Sequence, residues 1–201
     1  MSVTDAYTTS VEYRAVTGAT DSGNDAEILK DLGAISRYLD GKLGRFFTKD
    51  ASAVARVYIP HDNIKAIWVD DISETPTSVK LDTGGDGQFA TTLESTDFEL
   101  LPLNADKGPE PRPYMQVGMT PWGSYKCFQK NIRVEVTAKF GWPSVPGAIQ
   151  RATIHLAAIL RLETPRATRR IAELGDIMEA SPDAMSIIRQ LTDRYKRIRY
   201  I

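Results

Sequence analysis

The spacing of apolar residues changes twice along this chain, and that change constrains the fold more than any other feature. Over residues 25–47 the apolar positions recur at alternating steps of four and three, which is typical of an amphipathic helix. Over residues 53–139 they recur at steps of two in short β-branched and aromatic runs, which indicates strands. Helical spacing returns after Pro146. The sequence therefore predicts an α+β fold, with a small antiparallel β region inserted into a helical core.

The same changes predict three segments. We expect residues 1–50 to hold the N-terminal helices of the core and residues 51–141 to form the β-rich insertion with long loops. Residues 142–201 are expected to complete the core with C-terminal helices and to end in a docking tail. A length of 201 residues fits one domain, or one domain with an insertion, and excludes two large domains.

Local signals predict where the N-terminal helices begin and end. Thr9 and Glu12 fit a capping box, and Gly18 is placed to end a short opening helix. The apolar stripe of the long helix over residues 25–47 consists of Ile28, Leu32, Ile35, Leu39, Leu43 and Phe46. Three glycines in this helix each weaken it by about 1 kcal/mol relative to alanine, so we expect them to allow close packing against another element. They are Gly33, Gly41 and Gly44.

Short runs with a period of two predict the strands of the insertion. They cover residues 54–59, 64–72, 78–82, 88–93, 98–101, 114–117 and 132–140. The glycine-rich residues 83–87 join two of these runs and predict a tight hairpin, because glycine reaches positive φ angles easily. Residues 102–121 are rich in proline and predict a long surface excursion with at most one edge strand.

Prolines mark the beginnings of the C-terminal helices. Pro146 suits the first turn of a helix over residues 148–162, which is apolar on nearly every face and is therefore expected to be central. Thr164 and Ser181 each precede a proline, and each is expected to cap a further helix.

The charge of the chain is small and unevenly spread. A net charge of −1 removes the global basic field that nucleic-acid-binding proteins usually carry. Residues 142–201 hold ten basic and six acidic side chains, whereas the residues before them hold fifteen and twenty. We expect no internal disulfide from the single Cys127, no bilayer span and no signal peptide in residues 1–10, and hence a soluble protein made in the cytoplasm.

Few side chains suit catalysis or metal binding. His61 lies in a turn signature and His155 in the apolar helix, and neither has a partner motif. Asp70 and Asp71 are neighbours in a predicted strand and point to opposite faces, which favours a solvated or loop-edge pair over a shared site. We therefore predict no catalytic residue, no metal and no cofactor, and we expect His155 and Cys127 to be core residues.

Aromatic and cationic residues are the remaining candidates for packing anchors and binding surfaces. We expect Trp68 in the core, Trp122 in a loop, and Trp142 as a packing anchor where the sheet leads into the helices. The residues of this structural corner are Gly141, Trp142, Pro143 and Pro146.

The chain ends with apolar side chains among its cations, which a solvated helix end would not need, so we expect a docking surface there. Its candidate residues are Arg189, Arg194, Tyr195, Lys196, Arg197, Ile198, Arg199, Tyr200 and Ile201.

Residues 134–153, with the sequence VEVTAKFGWPSVPGAIQRAT, resemble a strand, a Gly-Trp-Pro corner and a first C-terminal helix found in one family. That family is the head-to-tail connector (adaptor) proteins of tailed bacteriophages, of the gp6-like class and of the type seen in actinobacterial phages. Supporting segments appear in the same order as in such adaptors. They are residues 38–47, 69–73, 86–89 and 96–104.

The resemblance implies a structural virion protein without catalytic activity. Such adaptors form a ring, commonly of twelve copies, beneath the portal protein of a DNA-filled capsid. The C-terminal segment docks onto the portal, the far side binds stopper or tail-completion proteins, and genomic double-stranded DNA passes through the channel without sequence-specific binding. A near-neutral subunit agrees with this role, because a strongly basic lining would hold the DNA by many phosphate contacts.

Two other hypotheses remain open from the residues alone. A carbohydrate- or host-binding β module on a helical base would use Trp68, Trp122 and Tyr114 as a stacking platform. A hydrolase would need a pocket that brings together His61 and the Asp70–Asp71 pair.

Overall fold

The computed structural model describes residues 6–20, 22–163 and 181–197. It confirms the predicted α+β class, since the described chain contains helices and two small antiparallel sheets. The described residues within Met1–Phe47 and Val145–Ile201 form one compact unit, and Thr48–Ser144 form the other. We call them the helical unit and the β unit.

The helical unit contains the described helices. They are α1 (Ser10–Thr17), α2 (Asp25–Leu43), α3 (Gly147–Glu163) and α4 (Pro182–Thr192), followed by a 3₁₀ turn (Asp193–Tyr195). Helix α3 packs against both α2 and α4. Its buried side chains meet the apolar stripe of α2, so this packing forms the core of the unit. None of the described helices has the length and hydropathy needed to cross a membrane.

Helix α1 begins with the predicted capping box. The backbone N–H of Glu12 donates to Thr9 Oγ1 at 3.2 Å, and the Thr9 N–H donates to Glu12 Oε2 at 3.0 Å. Each side chain thus satisfies a backbone donor at the helix start, and the helix ends before Gly18 as predicted.

Helix α2 is shorter than predicted. It ends at Leu43, because Gly44 adopts a left-handed φ of 65° and donates its N–H to the Asp40 carbonyl at 2.8 Å. The turn breaks the helical period, so Phe46 is exposed and Phe47 is fully buried instead. The assignment of Phe46 to the apolar stripe was therefore wrong.

The predicted packing role of Gly33 and Gly41 was also wrong. A Cβ atom at Gly33 or Gly41 would meet no other atom within 4 Å. Both positions therefore have room for a side chain.

The cap predicted at the start of α4 is present, whereas the start and the burial of α3 differ from the prediction. Ser181 Oγ accepts the N–H of Ala184 at 3.3 Å at the start of α4, as expected of a cap. Pro146 lies just before α3, where its carbonyl accepts the N–H groups of Ile149 and Gln150. Helix α3 is not buried all round, since Arg151 and His155 lie on an exposed stripe. The cap predicted at Thr164 lies outside the described residues.

The β unit consists of two antiparallel sheets. Its strands are β1 (Val54–Tyr58), β2 (Ala66–Ile72), β3 (Ser78–Leu81), β4 (Thr91–Thr92), β5 (Phe98–Leu101), β6 (Tyr114–Met119) and β7 (Val134–Ala138). The four-stranded sheet has the order β1-β7-β3-β4, and the three-stranded sheet has the order β2-β6-β5. Buried side chains from both sheets form one continuous apolar cluster.

Three expectations for the β unit need correction. Strand β6 lies in the middle of its sheet, not at an edge, because β2 and β5 both pair with it. Leu81 pairs with Thr91, so the connection around residues 83–87 is longer than a tight hairpin. Trp68 is 48 % exposed, because its strand turns Ile67 and Val69 toward the core instead.

Candidate functional site

The residues considered for catalysis do not converge on a site. His61 and His155 are both exposed, so the expected core position of His155 was wrong. Cys127 is only half-buried. Within residues 6–20, 22–163 and 181–197, no group of three or more His, Cys, Asp or Glu side chains could hold a metal ion.

The Asp70–Asp71 pair serves the structure of the β unit. The two side chains have different partners, as expected of neighbours in a strand, but neither is simply solvated. Asp70 Oδ2 accepts from Arg56 Nη1 at 2.8 Å and from the Tyr58 hydroxyl at 3.2 Å. Asp71 is buried and accepts from Trp142 Nε1 at 3.2 Å. The prediction of a solvated or loop-edge pair was therefore wrong.

The corner around Trp142 is tightly constrained within the β unit. Trp142 is 4 % exposed, and Pro143 beside it is half-buried. Gly141 has a φ of 104° and donates its N–H to the Asp71 carbonyl at 2.7 Å. A Cβ atom at Gly141 would lie 2.0 Å from the Thr48 carbonyl oxygen, a distance that no side chain can occupy. Only glycine fits this corner.

The C-terminal segment is held on the helical unit by Tyr195. This side chain is 5 % exposed, and its ring meets the Phe47 ring edge-on with centroids 5.9 Å apart. The Arg194 guanidinium lies over the Tyr195 ring at 4.6 Å. The N–H of Arg197 donates to the Leu43 carbonyl at 2.9 Å. The segment therefore follows the body of the helical unit as far as Arg197.

The candidate docking residues consequently divide into three groups. Arg189, Arg194 and Lys196 are exposed, whereas Tyr195 is a core residue and Arg197 is half-buried. Ile198, Arg199, Tyr200 and Ile201 lie outside the described residues. The sequence places Tyr195 on the apolar stripe of the last helix with Met185, Ile188 and Leu191, but it does not identify the partner Phe47, which lies far away in the chain.

A buried polar cluster beside this anchor also escaped sequence reasoning. The Tyr7 hydroxyl donates to Asp40 Oδ1 and accepts the N–H of Phe47 at 3.0 Å. Arg37 Nε lies 3.1 Å from Asp40 Oδ2. Burial raises the pKa of Asp40 to about 6, against the lowering effects of the Tyr7 hydrogen bond and the Arg37 charge. The Tyr7 ring also meets Phe47 edge-on, so the cluster joins α2 to the start of the described chain.

The residues of the alternative stacking platform differ in their surroundings. Trp122 is 74 % exposed and Trp68 is about half exposed. Tyr114 is half-buried, and burial together with its hydrogen bond to Asp106 raises the pKa of its hydroxyl.

Comparison with solved structures identifies chains of similar fold. No protein-family model and no curated protein matches the sequence. Among solved structures, a chain in the neck of an empty gene transfer agent particle, described with C6 symmetry, matches with a TM-score of 0.55 and 18 % identity. The match covers 100 % of this chain and 95 % of that one.

The chain has the fold of a particle neck chain. A chain in the virion of a native gene transfer agent particle is also similar, with a TM-score of 0.50, 18 % identity and the same coverage of 100 % and 95 %. Both matches therefore include the helical unit and the β unit in full.

Proposed function

We propose that this protein is a structural component of a particle neck, namely a head-to-tail adaptor that forms a ring beneath the portal of a DNA-filled capsid. The observation that carries the proposal is the fold shared with a neck chain over the whole length of this chain. The resemblance of residues 134–153 to phage adaptors of the gp6-like class supports the same role from the sequence. In this role the protein is made in the host cytoplasm, resides at the head-tail interface of the virion and has no catalytic activity.

The ring consists of twelve copies in this proposal, as the sequence resemblance implies. The neck that contains the similar chain is described with C6 symmetry, which is compatible with a symmetric ring of this chain. One side of the ring binds the portal, and the other side provides the attachment site for stopper or tail-completion proteins. Genomic DNA passes through the ring, and the net charge of −1 supports free passage because few phosphate contacts would retain it.

The portal-binding surface is assigned to the C-terminal segment. Tyr195 fixes this segment on the helical unit, so the exposed cations Arg189, Arg194 and Lys196 are presented from a defined backbone. Residues 198–201 follow directly and add further apolar and cationic side chains. Together they favour an acidic portal surface with apolar pockets as the partner.

Mass measurement tests the proposal most directly. Light scattering and native mass spectrometry are applied to the protein alone and after mixing with the portal protein of the same particle. We expect the portal to acquire about twelve copies of the chain, one for each position in a closed ring. A stable small oligomer that ignores the portal contradicts the adaptor role.

Variants of the docking segment test the assigned surface. Removing residues 194–201 would take Tyr195 out of the core, so the truncation is placed after Arg197. A second variant replaces Arg189, Arg194 and Lys196 with glutamate. We expect both to lose portal binding and to keep the wild-type circular dichroism spectrum, because loss of the Arg194 guanidinium over the Tyr195 ring leaves the contact of Tyr195 with Phe47 in place.

A charge-matched control separates the docking surface from the total charge. It carries Lys30→Glu, Lys65→Glu and Lys130→Glu, three exposed positions outside the segment. We expect this control to bind the portal like the wild type. Equal losses in the two triple variants, or normal binding by both docking variants, contradict the assignment.

A further inference from the structure

Trp122 is the large aromatic side chain that the β unit presents most openly. It is 74 % exposed and lies in the connection between β6 and β7. Exposed tryptophans of this kind are the side chains most often found to dominate the binding energy of protein interfaces. The feature that makes Trp122 suitable for such a role is the rigidity of its loop.

Hydrogen bonds hold the Trp122 loop from both sides. Thr120 Oγ1 donates to the Thr96 carbonyl at 2.6 Å and accepts the N–H of Gly123 at 3.1 Å. The buried Asp97 accepts the N–H of Ser124 at 2.7 Å through Oδ1. The indole is thus offered by a pre-organised loop, which reduces the entropy lost on binding.

A cation is held against the backbone that flanks Trp122. Lys126 Nζ donates to the Pro121 carbonyl at 2.8 Å and to the Gly123 carbonyl at 2.7 Å, the two residues that flank Trp122. The loop therefore presents a hydrophobic ring with a positive charge at its base.

The helical unit contains a groove of about 530 Å³ between α1, α3 and α4. Its apolar lining is provided by Val16, Ala148, Ile154 and Leu191. This volume lies within the range of about 300–1,000 Å³ typical of ligand sites, so an indole ring fits inside it. Val16 is half exposed at the rim, which leaves apolar surface uncovered.

Two charged side chains of the groove complement the Trp122 loop. Arg151 is exposed on α3, and its guanidinium has no ion pair with the residues that the structure describes, so it is available to stack on an indole face. Glu12 accepts from Thr8 Oγ1 and the Thr9 N–H, and these hydrogen bonds lower the pKa of its carboxyl. Glu12 is therefore negatively charged at neutral pH and is a suitable partner for Lys126.

We propose that Trp122 of one copy binds in the α1–α3–α4 groove of a second copy, with Arg151 against the indole and Glu12 near Lys126. The surface and the groove are different parts of the chain, so the contact is heterologous and joins copies head to tail. Such a contact can be repeated around a closed ring. This inference rests on the proposed ring and names the contact that builds it.

Single variants measured by sedimentation equilibrium test each side of the contact. Trp122→Ala should weaken self-association about 30-fold, the effect of removing an interface hot spot. Trp68→Ala removes another exposed tryptophan and should leave association unchanged. Arg151→Ala should weaken association about fivefold through loss of the cation–π contact. Association of Trp122→Ala equal to the wild type, or a wild type that remains monomeric at every concentration, overturns the proposal.

A mixing experiment tests the head-to-tail arrangement. Ala148→Trp fills the groove but retains Trp122, whereas Trp122→Ala retains an open groove. At a concentration where each variant alone is monomeric, an equal mixture should form a dimer that does not grow, because only one contact is possible. Ala26→Trp, on the exposed surface of α2, controls for an added tryptophan. A mixture that stays monomeric overturns the proposal.

Portal binding separates this inference from the proposed function. If the inference alone fails, Trp122→Ala still joins the portal as a complete ring of wild-type mass. If the adaptor role alone fails, the mixture still forms dimers but the wild type ignores the portal. If both are correct, Trp122→Ala should fill the portal only partly at a concentration where the wild type forms a complete ring.

Discussion

Replacing Gly141 with alanine should destabilise the β unit severely. The new Cβ atom would lie 2.0 Å from the Thr48 carbonyl oxygen, 2.8 Å from its carbon and 3.1 Å from Lys49 Cα. These are backbone atoms, which cannot swing aside as the end of a side chain can. The φ of 104° adds strain of about 1–3 kcal/mol for any residue with a Cβ atom.

The steric clash and the weakened hydrogen bonds around it determine how much stability the Gly141→Ala variant loses. Relieving the overlap costs about 1–3 kcal/mol, as in other overpacked sites. Moving the two chain segments apart also weakens the bonds from Gly141 N–H to the Asp71 carbonyl and from Asp50 N–H to the Phe140 carbonyl, each worth about 1 kcal/mol. We therefore expect the free energy of unfolding to fall by about 2–8 kcal/mol, against a total stability of about 5–15 kcal/mol for an average domain.

Denaturant unfolding measures this loss. All three tryptophans lie in the β unit, so their fluorescence reports its unfolding. The control is Gly33→Ala in α2, where no atom lies within 4 Å and the helix should gain about 1 kcal/mol. Unfolding of Gly33→Ala is monitored by far-ultraviolet circular dichroism, because α2 belongs to the helical unit. A loss below about 1 kcal/mol at Gly141 would refute the steric reasoning.

Three further predictions concern buried polar and aromatic contacts. Trp142→Phe removes the hydrogen-bond donor to the buried Asp71 and should lower the free energy of unfolding by about 2–3 kcal/mol. Trp122 is mostly exposed, so the control Trp122→Phe should change this free energy by less than about 0.5 kcal/mol. Equal effects of the two substitutions in denaturant melts contradict this prediction. Because the pKa of Asp40 is raised from 3.8 to about 6, the folded state binds a proton that the unfolded state releases between these values, so stability should fall by up to about 3 kcal/mol from pH 4 to 6. Asp40→Asn should remove this component of the pH profile, and an unchanged profile would show that another group titrates. Tyr195→Ala should cost about 3–5 kcal/mol and weaken portal binding through loss of the anchor, whereas Lys196→Ala should leave the melting temperature unchanged.

Local features of the fold could be predicted from the sequence because their causes lie within a few residues. The capping box of Thr9 and Glu12 depends on atoms three residues apart, and Ser181 caps α4 in the same way. The alternation of apolar residues likewise predicted the strands of the insertion and the α+β class.

The candidate site was predictable only in part. The position of the terminal cations and the apolar spacing of Tyr195 were evident, but the contact of Tyr195 with Phe47 was not. The pairing of Asp71 with Trp142 joins residues 71 positions apart, and the ion pair of Arg161 with Asp31 joins residues 130 apart. No pattern within a short window can specify such partners.

The sequence by itself determined the order and type of the elements, since hydrogen bonds and side-chain periodicity within each element specify them. The apolar stripe also predicted the buried face of α2 as far as Leu43, but at other positions only the tertiary structure decided which side chain is buried. It exposed Trp68 and buried Ile67, exposed Phe46 and buried Phe47, and made glycine necessary at position 141. The physical reason is that burial and close approach depend on what packs against a residue, and those neighbours come from distant parts of the chain.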